Sequence, residues 1–285
     1  MFRNAAREVD EEFDIIADVS GEKVKLGEFD GKDSIELSQG DTVELVSKDQ
    51  DFKVSEMQIP LNSDILFGSL EKGDTIYIGD GDVLLRVESC DDSIICETIK
   101  SGTVQPFRGL KPQSDLFEPS ALTDKDVEDL KFIAESKKFD AALISFVSSA
   151  SDVDRAKETL KKKDCDIPVI SKIESKKGLE NLEEICQASD AVMAARGDLA
   201  LFLPWHKLGD HVENIAETAE TNNTKWIVAT QLLEGMERFP IPSRADICDV
   251  DHWKKEGASG FMLCYETAFG DKPIESMRAL DKLVS

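Results

Sequence analysis

Short apolar segments alternate with longer amphipathic segments along most of the chain, and this alternation constrains the fold more than any other feature. From about Phe117 onward it is the pattern of parallel βα units, in which each buried strand is followed by a helix. An earlier apolar run, 13–18, is of the same kind. The predicted strands of this type are therefore 13–18, 141–146, 167–173, 191–195, 226–230 and 260–264.

Two of the intervening helices have recognisable start signals. Thr123-Asp-Lys-Asp126 supplies a cap before the apolar positions that begin at Val127, and Ser151-Asp152 precedes the next helix. Short polar side chains of this kind accept hydrogen bonds from the unpaired N–H groups of a first helical turn. The sequence therefore predicts helices beginning near these two positions.

Between Glu28 and about Thr103 the pattern changes to short alternating strands punctuated by Gly and Asp. The clearest are 42–45, 75–78, 83–87 and 93–98, with Gly79-Asp80-Gly81 as a tight-turn signal. This pattern is typical of a separate small β-domain. We therefore predict the start of a barrel domain (a helix end and the first retained strand) in 1–27, an inserted β-domain in 28–104, and the remainder of the barrel in 105–285.

The predicted fold class is α/β. A closed (β/α)8 barrel needs eight parallel strands, whereas this sequence offers six. We expect a TIM-barrel-like domain that is incomplete, with six βα units, carrying an inserted small β-barrel.

Charge and hydropathy exclude several classes of function. The chain has 285 residues and a formal net charge of -24, so direct binding to a nucleic-acid backbone is not expected, because the dominant electrostatic term would be repulsive. No run of about eighteen apolar residues is present, so no membrane span is expected. The acidic N-terminus does not resemble a secretory signal. We expect a soluble intracellular protein of the cytoplasm or of an organelle stroma or matrix.

Cysteine and histidine do not form a metal-binding pattern. The six cysteines have no Cys-x-x-Cys spacing, and the three histidines do not pair at ligand spacing. Such cysteines are typical of reduced thiols rather than of a disulfide framework or a zinc site.

Two predicted strands end in charged residues. The first carries Lys172 and Glu174, and the second is followed by Arg196-Gly-Asp198. Carboxylate oxygens are the ligands that hard divalent cations prefer, and a nearby Lys neutralises charge that the metal does not reach. The pattern indicates a site that holds a metal ion against an anionic substrate, although strands that end in solvated charges produce the same pattern.

Several segments together resemble the successive signatures of the pyruvate kinase family, in that family's order and spacing, over about residues 13–280. Any one of them alone is a weak signal, whereas the combination is specific. The segments are Asp18-Val-Ser-Gly21, Asp124–Lys131, Ile144-Ser-Phe-Val147, Ser171-Lys-Ile-Glu174, Ala195-Arg-Gly-Asp-Leu199, Val228-Ala-Thr-Gln-Leu-Leu-Glu234, Pro242-Ser-Arg-Ala-Asp246 and Met262-Leu-Cys-Tyr-Glu-Thr-Ala268.

The resemblance implies an active site on the C-terminal side of the strands, with the β-domain as a mobile lid. It implies that Glu174 and Asp198 bind Mg²⁺, which bridges to the carboxylate and enol oxygen of phosphoenolpyruvate. Lys172 would stabilise the charge of the transferring phosphoryl group. Thr230 would assist protonation of the enolate carbon, although a Thr at a strand end is as readily only a helix cap.

The resemblance also implies substrate-binding roles. Arg196 would orient the mouth of the site, and the backbone N–H groups of Gly197 and Asp198 would face the substrate carboxylate. The family has two adjacent cationic side chains in this region, and Arg108 corresponds to one of them. Arg244 lies in a segment near subunit contacts of the family, which is consistent with an oligomer.

The sequence departs from the family pattern mainly at positions that bind phosphate and potassium. The family's Arg-x-Asn-x-Ser-His-Gly motif has no counterpart, and Val19 replaces a potassium-binding Thr, so K⁺ binding is not expected. Ser148 replaces an Arg, Phe107 replaces a Lys, and Cys264-Tyr265 replaces Ser-Gly. Because loss of one preorganised contact can lower a rate by roughly 10² to 10³, we expect weak or impaired phosphoryl transfer.

Compared with the family, we expect the chain to lack the first two barrel strands and the C-terminal regulatory domain. An incomplete barrel exposes two strand edges and part of its core. We therefore expect a protein partner or further copies of the chain to cover these surfaces.

Three functions remain open from the sequence. The first is a divergent enzyme that transfers a phosphoryl group between phosphoenolpyruvate and ADP with Mg²⁺. The second is a catalytically inactive subunit or scaffold of a larger assembly. The third is a lyase or decarboxylase that acts on a 2-oxo acid through a Mg²⁺-stabilised enolate.

Overall fold

A computed structural model describes residues 13–47, 49–79, 81–91, 93–114 and 116–285. The first twelve residues, interpreted above as the end of a helix, and Asp80 of the predicted turn lie outside these ranges. The described chain divides into two compact units. The barrel unit contains 13–21, 120–196 and 209–285, and the β-unit contains 22–119 and 197–208.

The secondary structure alternates as the sequence pattern predicts. In chain order the strands are β1 (Ile16–Val19), β2 (Ile35–Leu37), β3 (Thr42–Val46), β4 (Gln58–Pro60), β5 (Thr75–Ile78), β6 (Val83–Cys90), β7 (Ile94–Lys100), β8 (Gly102–Val104), β9 (Leu110–Gln113), β10 (Ala141–Ile144), β11 (Val169–Ile173), β12 (Ala191–Ala195), β13 (Lys225–Ala229) and β14 (Gly260–Met262). The helices are α1 (Asp124–Ser136), α2 (Ala150–Lys161), α3 (Lys176–Glu180), α4 (Leu182–Ala188), α5 (Arg196–Phe202), α6 (Leu208–Thr221), α7 (Arg244–Lys255), α8 (Tyr265–Ala268) and α9 (Pro273–Val284).

The barrel unit contains a parallel sheet of six strands in the order β1-β10-β11-β12-β13-β14. Each strand pairs with its neighbour in parallel, beginning with Ile16 opposite Ala141. The predicted fold is confirmed: this is an α/β structure with six parallel strands of a TIM-like barrel and an inserted small β-structure between the first and second of them.

The central strands are buried on both faces, as the absence of polar alternation predicts. One face of β10, β11 and β12 carries a compact cluster in which Ala residues at 141 and 191 accompany Leu143, Ile170 and Met193. The opposite faces pack against the helices. The parallel sheet therefore brings the carboxyl ends of all six strands to a single edge, where a site can form.

Three predicted strands extend beyond their true ends, and for two of them the cause is a turn of the backbone. β10 ends at Ile144 and β13 at Ala229, because Phe146 and Thr230 adopt left-handed φ angles of 55° and 75°. A left-handed residue interrupts the extended backbone. β14 also ends early, at Met262.

Two helix starts were predicted, and the structure places one as expected. Thr123 caps α1 and forms a reciprocal capping box with Asp126. The start predicted at Ser151 is wrong: α2 begins at Ala150, and its cap is Ser149, which forms the box with Asp152. Ser149 has the extended backbone that a cap requires, whereas Ser151 already lies in the first turn.

The β-unit contains a six-stranded sheet in the order β4-β3-β7-β6-β5-β9 and a second pair, β2 with β8. The predicted tight turn joins β5 to β6, and Gly79 and Gly81 have φ of 67° and 89°. The sequence pattern missed β2, β4, β8 and β9. Both β4 and β9 are edge strands that carry a proline, Pro60 and Pro112, which lacks the N–H that a central strand must donate.

The core of the β-unit is separate from the cluster inside the barrel unit. Apolar side chains from β2 to β9, including the fully buried Phe29, Leu45 and Ile76, form this core. No helix among the described residues is long and apolar enough to cross a membrane.

The two outer strands of the parallel sheet each have one unpaired side within the described ranges. β1 pairs with β10 alone, and β14 pairs with β13 alone. Ile16 on β1 is 48% exposed, and apolar side chains that follow β14, Phe269, Ile274 and Met277, are 79%, 62% and 55% exposed. Within the described residues, the barrel unit therefore has exposed apolar side chains on β1 and in the segment that follows β14.

Candidate active site

Lys172 lies on the face of the parallel sheet that lines the inside of the barrel unit. Strand alternation places Ile170 and Lys172 on the same face of β11, and Glu174 directly follows the strand. Lys172 is only 8% exposed and Glu174 only 1%. Because burial of an unpaired charge is very unfavourable, both side chains need partners of opposite charge or hydrogen-bonding groups.

Lys172 is surrounded by oxygen atoms from three neighbouring strand ends. Its Nζ lies 2.9 Å from Ser145 Oγ, 3.2 Å from Glu174 Oε1 and 3.5 Å from Asp18 Oδ1. Asp18 is in β1 and Ser145 directly follows β10, so the register of β1, β10 and β11 brings these groups together. The sequence pattern predicted the proximity of Lys172 and Glu174, but the contribution of Asp18 and Ser145 emerges only from the sheet order.

Glu174 is held by the backbone as well as by Lys172. The N–H of Phe146 donates to Glu174 Oε2 at 2.8 Å. Phe146 lies just after β10 and has a left-handed backbone. In this conformation its N–H points at the Glu174 carboxylate. A β-carbon on Gly21 would lie 2.8 Å from the Phe146 ring, so only glycine fits beside this turn.

Asp198, the second predicted metal ligand, belongs to the β-unit together with the rest of 197–208. There it forms an ion pair with Lys111 of β9, with Nζ and Oδ1 2.8 Å apart. Oδ1 is buried and accepts no hydrogen bond of ordinary geometry within the described residues. Lys111 was not predicted, because a Lys beside a Pro carries no recognisable signal in a single sequence.

Thr230 and Cys264 lie together at the ends of β13 and β14. Burial raises the pKa of the Cys264 thiol, and a hydrogen bond with Thr230 opposes that shift. Glu266, 1% exposed, accepts hydrogen bonds from the N–H groups of Leu233 at 3.1 Å and Cys264 at 2.8 Å. The buried Glu266 therefore connects the segment that follows the Thr230 turn to the segment that follows β14.

The remaining predicted substrate-binding residues are placed as follows. Arg196 begins α5 and forms an ion pair with Asp249 at 2.7 Å. Gly197 is the second residue of α5. Arg108, in the β-unit, forms an ion pair with Asp82, and its side chain is 41% exposed.

Four departures from the family pattern have the following surroundings. Val19 is buried in β1 at 1% exposure. Ser148 donates to Asp152 at 3.0 Å and so takes part in the start of α2. Phe107 is 64% exposed and has a φ of 64°, while Tyr265 lies 5.6 Å from the ring of Phe269.

The thiols form no disulfide among the described residues. All six cysteines are free. Burial raises the pKa of Cys96 to about 12 and that of Cys186 to about 11, so both thiols stay protonated at neutral pH. Across the described residues, no three His, Cys, Asp or Glu side chains cluster as a ready-made metal site.

The side chains at hand nevertheless fit a magnesium ion by their chemistry. Glu174 in the barrel unit and Asp198 in the β-unit each present hard carboxylate oxygens, and Asp198 Oδ1 already pairs with one cation, the ammonium group of Lys111 at 2.8 Å. Mg²⁺ is commonly bound by one or two carboxylates, with water and substrate oxygens completing its six ligands. A cluster of three protein ligands is therefore not required.

A family model and individual relatives, compared with this chain, indicate the same family. Residues 1–277 match the family model described as the barrel domain of pyruvate kinase. The chain is similar to pyruvate kinase from Thermotoga maritima, with 35% identity over 94% of this chain and 57% of the relative. It is also similar to pyruvate kinase from Thermococcus litoralis, with 34% identity over 99% of this chain and 58% of the relative.

A solved structure extends the similarity to three dimensions. A pyruvate kinase from Cryptosporidium parvum superposes with a TM-score of 0.88 at 27% identity, covering 99% of this chain and 59% of that one. The chain thus spans less than two thirds of the length of the relatives it matches.

Proposed function

Because the chain belongs to the pyruvate kinase family, we propose that it transfers a phosphoryl group between phosphoenolpyruvate and ADP, at an impaired rate. The observation that carries this proposal is the contact of the buried Lys172 with the buried Glu174 and Ser145 and with the exposed Asp18. Packing alone gives no reason to bury a Lys and a carboxylate side by side. A preorganised cation in a water-poor site is the main requirement for stabilising charge in phosphoryl transfer.

In this proposal each residue acts through its charge or its hydrogen bonds. Lys172 neutralises charge on the oxygens of the transferring phosphoryl group. Glu174 and Asp198 would hold Mg²⁺, which would supply positive charge that stabilises the anionic substrate. Thr230 delivers a proton to the enolate carbon, and Arg108 is a cationic side chain that the β-unit contributes to substrate binding.

The expected impairment follows from the missing contacts. The departures at Val19, Ser148 and Phe107 remove positions at which the family binds potassium or phosphate, while the Lys172 cluster is retained. We therefore propose that the reaction proceeds without K⁺. The direct test mixes the protein with phosphoenolpyruvate, ADP and Mg²⁺, with and without K⁺, and measures pyruvate and ATP. We expect slow formation of both, unaffected by K⁺, and no turnover would reject the proposal.

A substitution at Glu174 tests the site itself. In Glu174→Gln the amide oxygen can still accept from Phe146, but the negative charge beside Lys172 is lost. We expect pyruvate formation to fall by roughly 10²- to 10³-fold, with weaker Mg²⁺ binding by calorimetry and an unchanged circular dichroism spectrum. The matched control is Asp166→Asn at an exposed position outside the cluster. Equal rates in the Glu174 variant and the control would contradict the assigned role.

The same assay separates this function from the lyase alternative. With oxaloacetate in place of phosphoenolpyruvate and without nucleotide, a decarboxylase would release pyruvate, and Glu174→Gln would abolish that release. We expect no such release.

The exposed apolar surface of the barrel unit favours a second role, as a subunit of a larger assembly. β1 and β14 each leave one edge unpaired within the described ranges, and Phe269, Ile274 and Met277 are largely exposed. Uncovered strand edges beside apolar side chains favour pairing with another chain. We propose that a protein partner or further copies of the chain cover these surfaces, which is compatible with either an active or a catalytically inactive subunit.

A further inference from the structure

Two consecutive residues at the end of β13 have an unusual backbone conformation. Thr230 has a φ of 75° and Gln231 a φ of 54°. A left-handed conformation is a genuine outlier for a β-branched residue such as Thr. Such a residue is energetically unfavourable and persists only where its surroundings hold it in place. Some neighbouring group must therefore stabilise this turn.

Arg196 is that group. Its Nε lies 3.2 Å from the carbonyl oxygen of Ala229 and 3.1 Å from that of Thr230. Its Nη2 donates to the carbonyl oxygens of Thr230 at 2.5 Å and Gln231 at 3.1 Å. One guanidinium thus binds three successive carbonyl groups, which its rigid fork of donors allows and a Lys ammonium does not.

Asp249 of α7 fixes the guanidinium from the other side. Arg196 Nη1 lies 2.9 Å from Asp249 Oδ1 and 2.7 Å from Oδ2. The Arg196 and Asp249 side chains are 12% and 28% exposed, so solvent screens this pair only weakly.

Two tryptophans connect Asp249 back to β13. The indole N–H of Trp253 donates to Asp249 Oδ1 at 2.7 Å. Trp253 packs edge-on against Trp226, with ring centroids 6.0 Å apart, and Trp226 lies in β13. The contacts therefore run from the turn after β13 to Arg196, Asp249 and Trp253, and they return to β13 at Trp226.

We propose that Arg196 and Asp249 are positioning residues that hold Thr230 in the conformation needed for proton transfer. This rests on the proposed function, in which C3 of the pyruvate enolate gains a proton from the Thr230 hydroxyl and water restores that proton. The Thr230 hydroxyl already forms a hydrogen bond with Cys264. The position of that hydroxyl follows from the backbone conformation of Thr230, and it therefore depends on the turn. Arg196 acts through the backbone of Thr230 and does not contact substrate.

The test variant is Asp249→Asn in the full chain. The amide oxygen of the substituted side chain can still accept from Trp253 and from Arg196 Nη1. The NH₂ group that takes the place of Oδ2 cannot accept the second hydrogen bond from Arg196. The matched control is Asp251→Asn, which breaks the exposed pair of Asp251 with Lys255 on the same helix. Arg196→Lys is the second variant, because it keeps the positive charge but loses the contacts to the carbonyl groups.

Two measurements decide the proposal. The first is exchange of the pyruvate methyl protons with deuterated water in the presence of Mg²⁺ and phosphate, compared with the rate of ATP formation. We expect Asp249→Asn and Arg196→Lys to slow exchange by roughly 10- to 100-fold and to slow ATP formation less. Asp251→Asn should change neither rate.

The second measurement does not require activity. The ¹³C chemical shifts of Thr230 in threonine-labelled protein report its backbone angles directly. We expect them to move in both test variants and to stay unchanged in Asp251→Asn. Unchanged Thr230 shifts in Asp249→Asn and Arg196→Lys would overturn the proposal. If the unsubstituted protein exchanges no pyruvate protons, the proposed function fails, and the shifts alone decide whether the pair positions Thr230.

Discussion

Lys172 has an environment that distinguishes it from a surface lysine. Its ammonium group is almost removed from water and lies within 3.5 Å of two carboxylates and a hydroxyl. In such a position the charges interact much more strongly than in water, because the local dielectric is low. The cluster is rigid and charged before any substrate arrives, which is the arrangement that stabilises developing charge without reorganisation.

The ion pair between Lys111 and Asp198 has a measurable consequence for metal binding. Lys111 Nζ lies 2.8 Å from the oxygen that we assign to the metal, and both side chains are 21% exposed. A cation that binds Asp198 must compete with this ammonium. We predict that Lys111→Met tightens Mn²⁺ binding about three- to tenfold, since a partly buried pair contributes about 1 kcal/mol.

Electron paramagnetic resonance of free Mn²⁺ measures this affinity directly. The matched control is Lys72→Met, which removes another lysine of the β-unit that pairs with a carboxylate, Glu88, at 3.0 Å. The control should leave Mn²⁺ affinity unchanged. Weaker binding in Lys111→Met would mean that Lys111 supports the site instead of competing with the metal.

At the scale of elements, the loops that follow the strands are fixed by buried carboxylates. Asp126, fully buried in the first turn of α1, accepts from Thr123 N at 2.9 Å and Thr123 Oγ1 at 2.5 Å with one oxygen. Its other oxygen accepts from Gly21 N at 3.2 Å. The capping box of α1 therefore also holds the loop that leaves β1.

Replacing Asp126 with Asn tests this double role. An Asn has one acceptor oxygen where Asp126 uses two, so either the cap or the Gly21 N–H loses its partner. We predict a loss of about 1–3 kcal/mol in the free energy of unfolding. Urea denaturation followed by circular dichroism measures it.

The control for this prediction is the exposed capping box of α7. There Asp246 accepts from Ser243 N at 2.7 Å, and solvent can replace the lost bond. Asp246→Asn should cost less than about 1 kcal/mol. Equal losses for Asp126→Asn and Asp246→Asn would show that the contact with Gly21 contributes nothing to stability.

At the scale of the whole molecule, the barrel unit and the β-unit differ in how completely their apolar side chains are buried. The β-unit surrounds its own apolar core. The barrel unit buries its central strands, but β14 is only partly buried and α9 exposes Ile274 and Met277 on one side while Leu280 is buried. Amphipathic helices with a second apolar side commonly pack against another element.

We predict that this surface drives association. At micromolar concentrations the chain should sediment above its monomer mass, and Ile274→Glu combined with Met277→Glu should move it toward the monomer. Both positions are exposed, so the substitutions should leave the melting temperature nearly unchanged. Glu275→Gln on the same helix is the control and should not alter the sedimentation. A monomeric, thermally stable unsubstituted chain would contradict the prediction.

Much of the fold could be predicted from the sequence because its signals are local. Buried parallel strands read as apolar runs, so all six strands of the barrel unit were predicted, and 191–195 was placed at its true limits. The strands that were missed, such as β9, carry residues typical of edges, since an edge strand tolerates Pro112. The ends of β10 and β13 were placed too late because no local signal marks a left-handed Phe or Thr.

For the candidate site, the sequence by itself determined the charged residues and their position at the ends of strands. Lys172 lies in β11 and Glu174 directly follows it, so the period of two along the predicted strand suffices to bring them close together. Only the tertiary structure decided their partners. Asp18, Ser145 and Lys111 come from strands distant in sequence, and Asp249 reaches Arg196 from α7. Such contacts depend on sheet order, register and backbone turns, which no local pattern of residues encodes.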